Sequence, residues 1–447
     1  MKLLNLILLF TLFLITNITL AQEHSHKGHE MHQAEQDTMQ HMGHEGMQMT
    51  EDYLFYSRIG SGTGWLPDAA PNYGYMIHTD EWMYMIHGNV FLTYNNQDIG
   101  NEGTRGDEKF YSTNWIMGMG QTDVGDNGMF RFNVMLSFEP LTVGGAGYPL
   151  LFQSGESWQG EPLVDHQHPH DLFSELSVSY RQSFSDDLNA FVYLAYPGEP
   201  ALGPVAFMHR PSGVYNPNTP LGHHWQDATH VTFGVATLGF SYKDFKLDGS
   251  IFTGTEPDED RYSFDEPRFN SYSLRLSYNP SPNWALQVSR GWLNDVHAIG
   301  RREDVNRTTA SVIHAVQLGA ESFLNTTAVW GYNDPQLGHH SASHSFLLAS
   351  ALTLNTTTIY GRYEWVEKST EDLLLNEAIF GHGNLYPVND VTLGIQQKLF
   401  KALNTNVSLG VQGSLYITPD DLEEVYGENP WGVQFYLRVY PSLMKHM

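Results

Sequence analysis

The chain contains no cysteine, few charged residues and, after its first 21 residues, no long apolar run. Without cysteine it has no disulfide, no thiolate metal site, no cysteine nucleophile and no lipid-modified N-terminal cysteine. No later run reaches 18 apolar residues, so the sequence predicts no transmembrane helix. Charged residues make up only 16%, which is low for a soluble domain, whereas aromatic residues make up 13% and glycine occurs 41 times. A membrane location would therefore have to come from β-structure.

The first 21 residues, MKLLNLILLFTLFLITNITLA, read as a secretory signal peptide. Lys2 supplies the positive charge, an apolar run extends from Leu3 to Ile15, and the small residue Ala21 precedes Gln22. The apolar core is too short to favour a membrane anchor. We expect an exported chain.

Residues 22–50 form a polar tract without apolar periodicity, interrupted by six histidines and five methionines. Such a tract predicts a disordered tail with metal-ligand composition. Thioethers select Cu(I) and imidazole accommodates Cu, Zn or Ni, so the mixture favours copper capture over a plain spacer, which is the alternative. The candidate ligands in the tail are His24, His26, His29, Met31, His32, Met39, His41, Met42, His44, Met47 and Met49.

Beyond the tail, a Gly/Pro-punctuated linker is expected over residues 51–81, a barrel over residues 82–440 and a short C-terminal tail over residues 441–447. Within the barrel region, apolar and polar residues alternate with a period of two, as in TNVSLGVQGSLY and WGVQFYLRVY. About sixteen such segments occur, each near the 9 to 11 residues that a tilted membrane strand needs. They begin near residues 84, 110, 129, 172, 187, 229, 245, 270, 283, 307, 322, 345, 357, 389, 405 and 431.

The connections between these segments alternate between long and short. Connections after odd-numbered strands are long, among them residues 141–171, 198–228 and 293–306, whereas most others are tight turns. This alternation predicts an all-β fold: a transmembrane antiparallel β-barrel of about 16 strands with long extracellular loops and short periplasmic turns, in the bacterial outer membrane. A soluble β-sandwich or propeller is the competing fold, but it would bury its apolar face in a core. The formal charge of −27 argues against nucleic acid and is explained by cationic partners or by solubilising acidic loops.

The stretch DHQHPHD, in the long connection of residues 141–171, is a candidate metal site. Alternate residues of an extended chain share a face, so His166, His168 and His170 could converge on one cation. Asp165 and Asp171 would act as ligands or would orient the imidazole rings. The alternative is a polar loop whose histidines hydrogen-bond to carboxylates and backbone.

The next long connection carries a second candidate cluster, PLGHHWQDATH, with His223, His224, Asp227 and His230. His209 precedes it in the same loop. Both loops contain about thirty residues, a length that in an ordered protein usually indicates function. They could narrow the lumen or share a metal site. A third group, LGHHSASH, has looser spacing, and we expect a solvated loop there.

Two resemblances bear on function. A His/Met-rich leader such as HMGHEGMQM, joined to a predicted outer-membrane barrel, resembles the copper-resistance outer-membrane proteins of the B type. Separately, stretches such as SFEPLTVGGAGYPLLFQSGE, DHQHPHDLF and GHHWQDATH are similar to a family of uncharacterised bacterial outer-membrane β-barrel proteins. The first resemblance implies copper handling, and the second implies the location without an activity.

The leading hypothesis is therefore an outer-membrane barrel involved in binding, resistance to or transport of a transition metal, most plainly copper. This hypothesis implies bound Cu, Zn or Ni ions and no covalent cofactor. The expected partners are outer-membrane lipid and periplasmic metal-handling or efflux proteins, and the chain could form an oligomer. The alternative is a general porin or passive small-solute transporter with structural loop histidines. A barrel hydrolase is the third hypothesis. No nucleophile elbow, P-loop or His-Glu-x-x-His motif is present, so we expect no enzyme.

Overall fold

The computed structural model describes residues 58–100, 103–298, 301–336 and 341–444, except for the side chains of residues 297, 298, 301 and 302. The predicted signal peptide of residues 1–21, the predicted tail of residues 22–50 and the first part of the predicted linker lie outside the described residues. The final three residues of the predicted C-terminal tail lie outside them as well.

Within the described residues, the chain forms twenty strands, of which all but three contribute to the wall of a closed antiparallel barrel of sixteen strands. The predicted barrel of about sixteen strands is confirmed. Strands β3 and β4 are two consecutive parts of one barrel strand, β1 is a short addition to β2, and β6 and β7 form a separate hairpin. The strands are β1 (Tyr75–His78), β2 (Met83–Asn96), β3 (Glu108–Tyr111), β4 (Asn114–Val124), β5 (Gly128–Leu136), β6 (Tyr148–Trp158), β7 (Glu161–Gln167), β8 (Phe173–Ser183), β9 (Leu188–Ala195), β10 (Val235–Tyr242), β11 (Phe245–Phe252), β12 (Ser271–Ser281), β13 (Trp284–Ala298), β14 (Arg301–Gly319), β15 (Ser322–Pro335), β16 (Ser343–Leu354), β17 (Thr357–Ser369), β18 (Leu385–Ala402), β19 (Thr405–Ile417) and β20 (Trp431–Pro441).

The barrel closes because its first and last strands pair with each other. Val90 to Asn96 of β2 lie opposite Val439 to Val433 of β20 in antiparallel register. Every other wall strand pairs with its neighbour in the chain, including β5 with β8 and β9 with β10 on either side of long loops. Closure leaves no free sheet edge, which a membrane-spanning sheet requires.

The period of two separates a lipid-facing surface from a lumen-facing one. In β12, Leu274 and Leu276 are exposed on the outside, whereas Ser273, Arg275 and Ser277 point inward and are buried. Since an apolar side chain would gain nothing from facing solvent, this exposed apolar surface is the one that contacts lipid.

Aromatic side chains border this apolar surface at two levels. Trp292 stacks on Tyr272 at the loop end of the barrel, with ring centroids 4.9 Å apart. At the turn end, Tyr278 stacks on Phe245 at 4.2 Å, and Trp284 is exposed beside them. Trp284 and Trp292 lie eight residues apart on one face, roughly 26 Å along the strand. This spacing matches an apolar band about 25 Å tall between two aromatic girdles.

The connections follow the predicted alternation with two corrections. Residues 293–306, predicted as a long loop, are mostly strand, because β13 and β14 pair as far as Ala298 and Arg301. Leu293 and Val305 lie opposite each other there and bury into an apolar cluster, which holds the strands together beyond the membrane. The sixth barrel strand begins at Val235 rather than near residue 229, since the preceding residues form short helical turns.

The helical segments in the described part of the chain are all short. They are α1 (Glu139–Thr142), α2 (His223–Gln226), α3 (Glu377–Phe380), α4 (Glu423–Tyr426) and the 3₁₀ turns Phe207–His209, Ala228–His230 and Asp420–Leu422. Among the described residues, no helix has the length and apolar character needed to cross a membrane.

Two loops and the N-terminal segment fold into the lumen. The hairpin loop, residues 137–172, contains α1, β6 and β7. The crossing loop, residues 196–234, contains α2 and two of the 3₁₀ turns. The N-terminal plug, residues 58–72, belongs to the predicted linker and is irregular as its composition indicates.

The crossing loop contacts inward-facing side chains on opposite sides of the barrel. Gly203 donates its N–H to Ser289 of β13 at 2.9 Å, and the Ser212 hydroxyl lies 2.7 Å from that of Thr327 of β15. Asn218 accepts hydrogen bonds from β17 and β20 at 2.9 and 2.6 Å. Its contacts therefore span the cross-section of the lumen.

The N-terminal plug packs beneath the crossing loop, at the end of the barrel that carries the short turns. Thr63 donates to Asp248 of β11 at 2.7 Å and accepts from Arg275 of β12 at 2.6 Å. Gly62 has a positive φ of 49° and lies so close to Glu199 of the crossing loop that a Cβ would approach that side chain to 2.7 Å. Glycine is needed there for both its φ and its small size.

Candidate functional site

Five imidazoles from the two inserted loops lie together in the lumen and form what we call the histidine cluster. His168 and His170 come from the hairpin loop, and His223, His224 and His230 from the crossing loop. Neighbouring ring centroids lie 5.1 to 6.4 Å apart around the group. The sequence left open whether the two thirty-residue loops share a site. Their imidazoles lie side by side, with His230 as a member and without His166 or His209.

Local chain geometry brings these rings to one place. The single turn α2 places His223 and His224 at its start, and Asp227 follows at its end. The Asp227 carboxylate lies 2.7 Å from Nδ1 of His223, and its carbonyl lies 2.8 Å from Nδ1 of His230. Asp227 thus orients two imidazoles, one through its carboxylate and one through its carbonyl.

His170 is the ring that joins the two loops. Its Nδ1 lies 2.8 Å from the Glu139 carboxylate of α1, which also accepts the backbone N–H of His170 at 2.9 Å. Its Nε2 lies 3.1 Å from Nε2 of His230. Burial alone would lower the pKa of His170, but the Glu139 carboxylate raises it, whereas burial lowers the pKa of His230.

The other side of the cluster pairs imidazoles with glutamates. His168 Nε2 lies 3.5 Å from Glu156, and His224 Nδ1 lies 3.4 Å from Glu256. The Nε2 atoms of both histidines are buried without a hydrogen-bond partner. Burial raises the pKa of Glu156 to about 7 against the opposing effect of Arg261. The raised pKa of Glu156 beside two imidazoles allows protons to move among these groups near neutral pH.

Arginines neutralise the carboxylates around the cluster. Arg210 and Asp227 form a fully buried pair within the crossing loop. Burial by itself would raise the pKa of Asp227, but Arg210 and the hydrogen bond from His223 hold it at about 2. Arg261 lies 3.1 Å from Glu156 and 3.3 Å from Asp171, whose pKa burial nevertheless raises to about 6. Asp227 therefore stays ionised and fixes the loop.

Four predicted site residues lie outside the cluster. His166 faces Asp107 at 3.6 Å, and His209 lies beside His87 with ring centroids 5.7 Å apart. Asp165 accepts hydrogen bonds from the Phe152 N–H at 2.6 Å and from Arg105 at 3.1 Å, and Asp171 pairs with Arg261. The aspartates anchor the hairpin loop instead of facing the imidazoles.

The partners that sequence reasoning missed are Glu139, Glu156, Glu256 and Arg261. They are charged residues in loops of a chain that has few charges, as in SFEPLTVGGAGYPLLF. A lone carboxylate among apolar loop residues was the available signal, but only the fold places it against a given histidine.

Another acidic group lies at the loop end of the barrel. Glu371 and Glu377 lie 2.9 and 3.4 Å from Nδ1 of His382. Within the described ranges, this is the only group whose three ligand atoms all lie within 4.8 Å of one another. In the third predicted cluster, His344 stacks on Tyr332 at 4.6 Å, and His339 and His340 lie outside the described residues.

Known proteins resemble this chain in structure and not in sequence. An anion-selective porin from Comamonas acidovorans has a TM-score of 0.50 and 12% identity over 80% of this chain and 100% of its own. This chain has the fold of an outer-membrane porin. OmpF of Salmonella typhi, in complex with daunomycin, gives 0.47 at 9% identity over 81% of this chain and 100% of its own. No family model and no curated protein matches, so the resemblance to copper-resistance proteins gains no support.

Proposed function

We propose that this chain is a passive channel for small solutes in the bacterial outer membrane, with a lumen that its own segments constrict. The observation that carries the proposal is the alternation of apolar outward rows with polar inward rows around a closed barrel of sixteen strands. Such a barrel is wide enough for an aqueous channel unless loops occupy it. The porin fold is consistent with this function.

The constriction distinguishes this channel from an open porin. The crossing loop meets inward-facing residues on both sides of the barrel, and the N-terminal plug occupies the turn end. Cavities of only about 40 and 90 Å³ remain beside these segments. Solutes would pass only along such gaps or after the crossing loop shifts.

Conductance in planar bilayers tests this proposal. We expect the full chain to conduct weakly, and a variant with residues 203–228 replaced by a short Gly/Ser linker to conduct at least tenfold more. A matched control replaces the largely exposed residues 376–382, which we expect to leave conductance unchanged. A large open conductance in the full chain would contradict the constriction, and no increase in the shortened variant would contradict the channel.

Transition-metal handling, with copper as the preferred ion, is the second candidate function. The observation that favours it is the convergence of five imidazoles from two loops. The tail that would capture copper lies outside the described residues. Metal-dependent growth of cells with and without the chain tests this role: copper tolerance that falls on deletion supports it, and unchanged tolerance contradicts it.

The structure of the barrel also suggests which partners the chain would contact. Outer-membrane lipid would contact the apolar band, and an oligomer would form through part of it. Periplasmic metal-handling partners belong to the second candidate alone. Non-enzymatic function remains a prediction.

A further inference from the structure

One contact in the histidine cluster brings two ring nitrogens, Nε2 of His170 and Nε2 of His230, to within 3.1 Å of each other. Nδ1 of His230 lies 2.8 Å from the Asp227 carbonyl, which can only accept, so Nδ1 carries the hydrogen. Nδ1 of His170 likewise donates to the Glu139 carboxylate at 2.8 Å. In neutral rings, both Nε2 atoms are then bare acceptors, and they face each other at 3.1 Å. A cation or an additional proton must lie between them.

We propose that His170 and His230 bind one divalent transition-metal ion of the Cu(II) or Zn(II) class between their Nε2 atoms. Imidazole nitrogen binds Zn(II) at about 2.0 to 2.1 Å. Two nitrogens at that distance from one ion and 3.1 Å apart subtend roughly 95 to 100° at the ion. This angle lies between those of square-planar and tetrahedral coordination, which are the geometries of Cu(II) and Zn(II) sites.

The groups behind the rings complete the arrangement that metal-binding histidines use. A ligating imidazole almost always donates its other N–H to a carboxylate or a backbone carbonyl, which fixes the tautomer and the ring orientation. Glu139 serves His170, and the Asp227 carbonyl serves His230. Glu139 is itself buried and held by the backbone N–H groups of Asn114 and His170.

His223 is the residue placed to supply a third ligand. Its ring centroid lies 5.1 Å from that of His230, and its Nδ1 lies 2.7 Å from the Asp227 carboxylate, which leaves Nε2 bare. His168, His170 and Glu139 border a cavity of about 40 Å³, which has room for water ligands. The remaining ligands are thus His223 after a rotation of its ring, or water.

This site goes beyond the proposed channel and does not depend on it. Binding is measured on the purified chain at equilibrium, whereas the channel is measured by conductance, so either proposal can fail alone.

Metal titration of the full chain tests the site. The wild type, a His170→Ala/His230→Ala double variant and the matched control His166→Ala are purified in detergent, stripped with a chelator and titrated with Zn(II) and with Cu(II). Any ions bound by the tail are the same in all three proteins. We expect the double variant to bind one ion fewer per chain, the control to bind as many as the wild type, and Glu139→Gln to bind that ion 10- to 100-fold more weakly.

Thermal unfolding gives a second readout, which does not report on ions bound by the tail. An ion bound within the folded lumen stabilises the native state, so Zn(II) should raise the Tm of the wild type and of His166→Ala but not that of the double variant. His170→Gln/His230→Gln replaces the double variant if the alanine form does not fold. Equal stoichiometry together with an equal Tm increase in all proteins would overturn the proposal and assign the contact to a bridging proton.

Discussion

At the scale of single residues, the lumen holds charged groups that are buried in pairs. Arg275 and Asp248 are buried against Thr63 of the N-terminal plug, and Arg210 pairs with Asp227 inside the crossing loop. Removing one partner of a buried pair leaves an uncompensated charge and costs several kcal/mol. The inserted segments are therefore held by interactions that solvent would otherwise have screened.

The burial of Glu199 makes the stability of the folded chain depend on pH. This residue lies in the crossing loop against Gly62, and burial raises its pKa to about 8, against a hydrogen bond from Ser61. The unfolded chain loses this proton near the ordinary pKa of about 4.5, whereas the folded chain keeps it to about pH 8. Because the native state binds more protons within that window, its stability falls as the pH rises through it.

Glu199→Gln should remove this loss of stability. Its free energy of unfolding should match the wild type near pH 4 and exceed it at pH 8.5 by on the order of 4 kcal/mol. Urea unfolding in detergent, followed by tryptophan fluorescence at the two pH values, measures the difference. Glu424→Gln, at an exposed carboxylate, should show no such gain. A pH-independent difference at Glu199 would refute the argument.

At the scale of elements, the period of two was enough to predict the barrel wall. Each wall strand has a predicted counterpart, because lipid outside and polar side chains inside impose alternation on every strand. The alternation no longer predicts strands beyond the membrane, where lipid does not impose it. There, Leu293 and Val305 extend β13 and β14 past the aromatic girdle at Trp292. Pairing there depends on packing against Phe252 and Leu202, which are distant in sequence.

A charged side chain placed on the lipid-facing surface should lower the stability of the barrel by an amount that depends on its depth in the membrane. Leu276 lies on β12 between the girdle residues Tyr272 and Tyr278, so Leu276→Arg should destabilise the barrel by about 2 to 4 kcal/mol. Leu318, exposed at the turn end of β14, is the matched control, and Leu318→Arg should cost about 0 to 1 kcal/mol. Reversible unfolding from lipid vesicles compares them. Equal costs at both positions would mean that no apolar band exists at this depth.

The candidate site was predictable only in part. Histidine spacing in DHQHPHD and GHHWQDATH marked both long loops as candidate metal sites, and the fold places histidines of the two stretches side by side. Metal binding by them stays a prediction. The spacing could not show that His166 faces Asp107, or that His230 replaces His209 in the cluster. Those outcomes depend on the direction of β7 and on the helical turns after His223, which the fold determines.

At the scale of the whole molecule, segments of the chain itself fill the lumen of the barrel. The stretch SGTGWLPDAAP predicted an irregular linker, but no residue pattern within it specifies that it lies in the lumen. The contact of Thr63 with Asp248 joins residues 185 positions apart, and that of Gln434 with Asn218 joins residues 216 apart. Such pairings follow from closing the barrel around the segments.

The most direct test of this account asks whether the crossing loop lies inside the barrel. A Cβ on Gly222 would lie 3.1 Å from Cβ of Ser345 of β16, near the roughly 3.5 to 4.5 Å found in disulfides. The chain has no cysteine, so Gly222→Cys/Ser345→Cys creates the sole pair, and Gly222→Cys/Leu393→Cys, with Leu393 on the lipid-facing side, is the control. We predict that the first pair oxidises to an intramolecular disulfide, detected as a mobility shift in electrophoresis that reductant reverses, and that the control does not. Two free thiols in the first pair, both open to a bulky maleimide in the folded protein, would contradict the account.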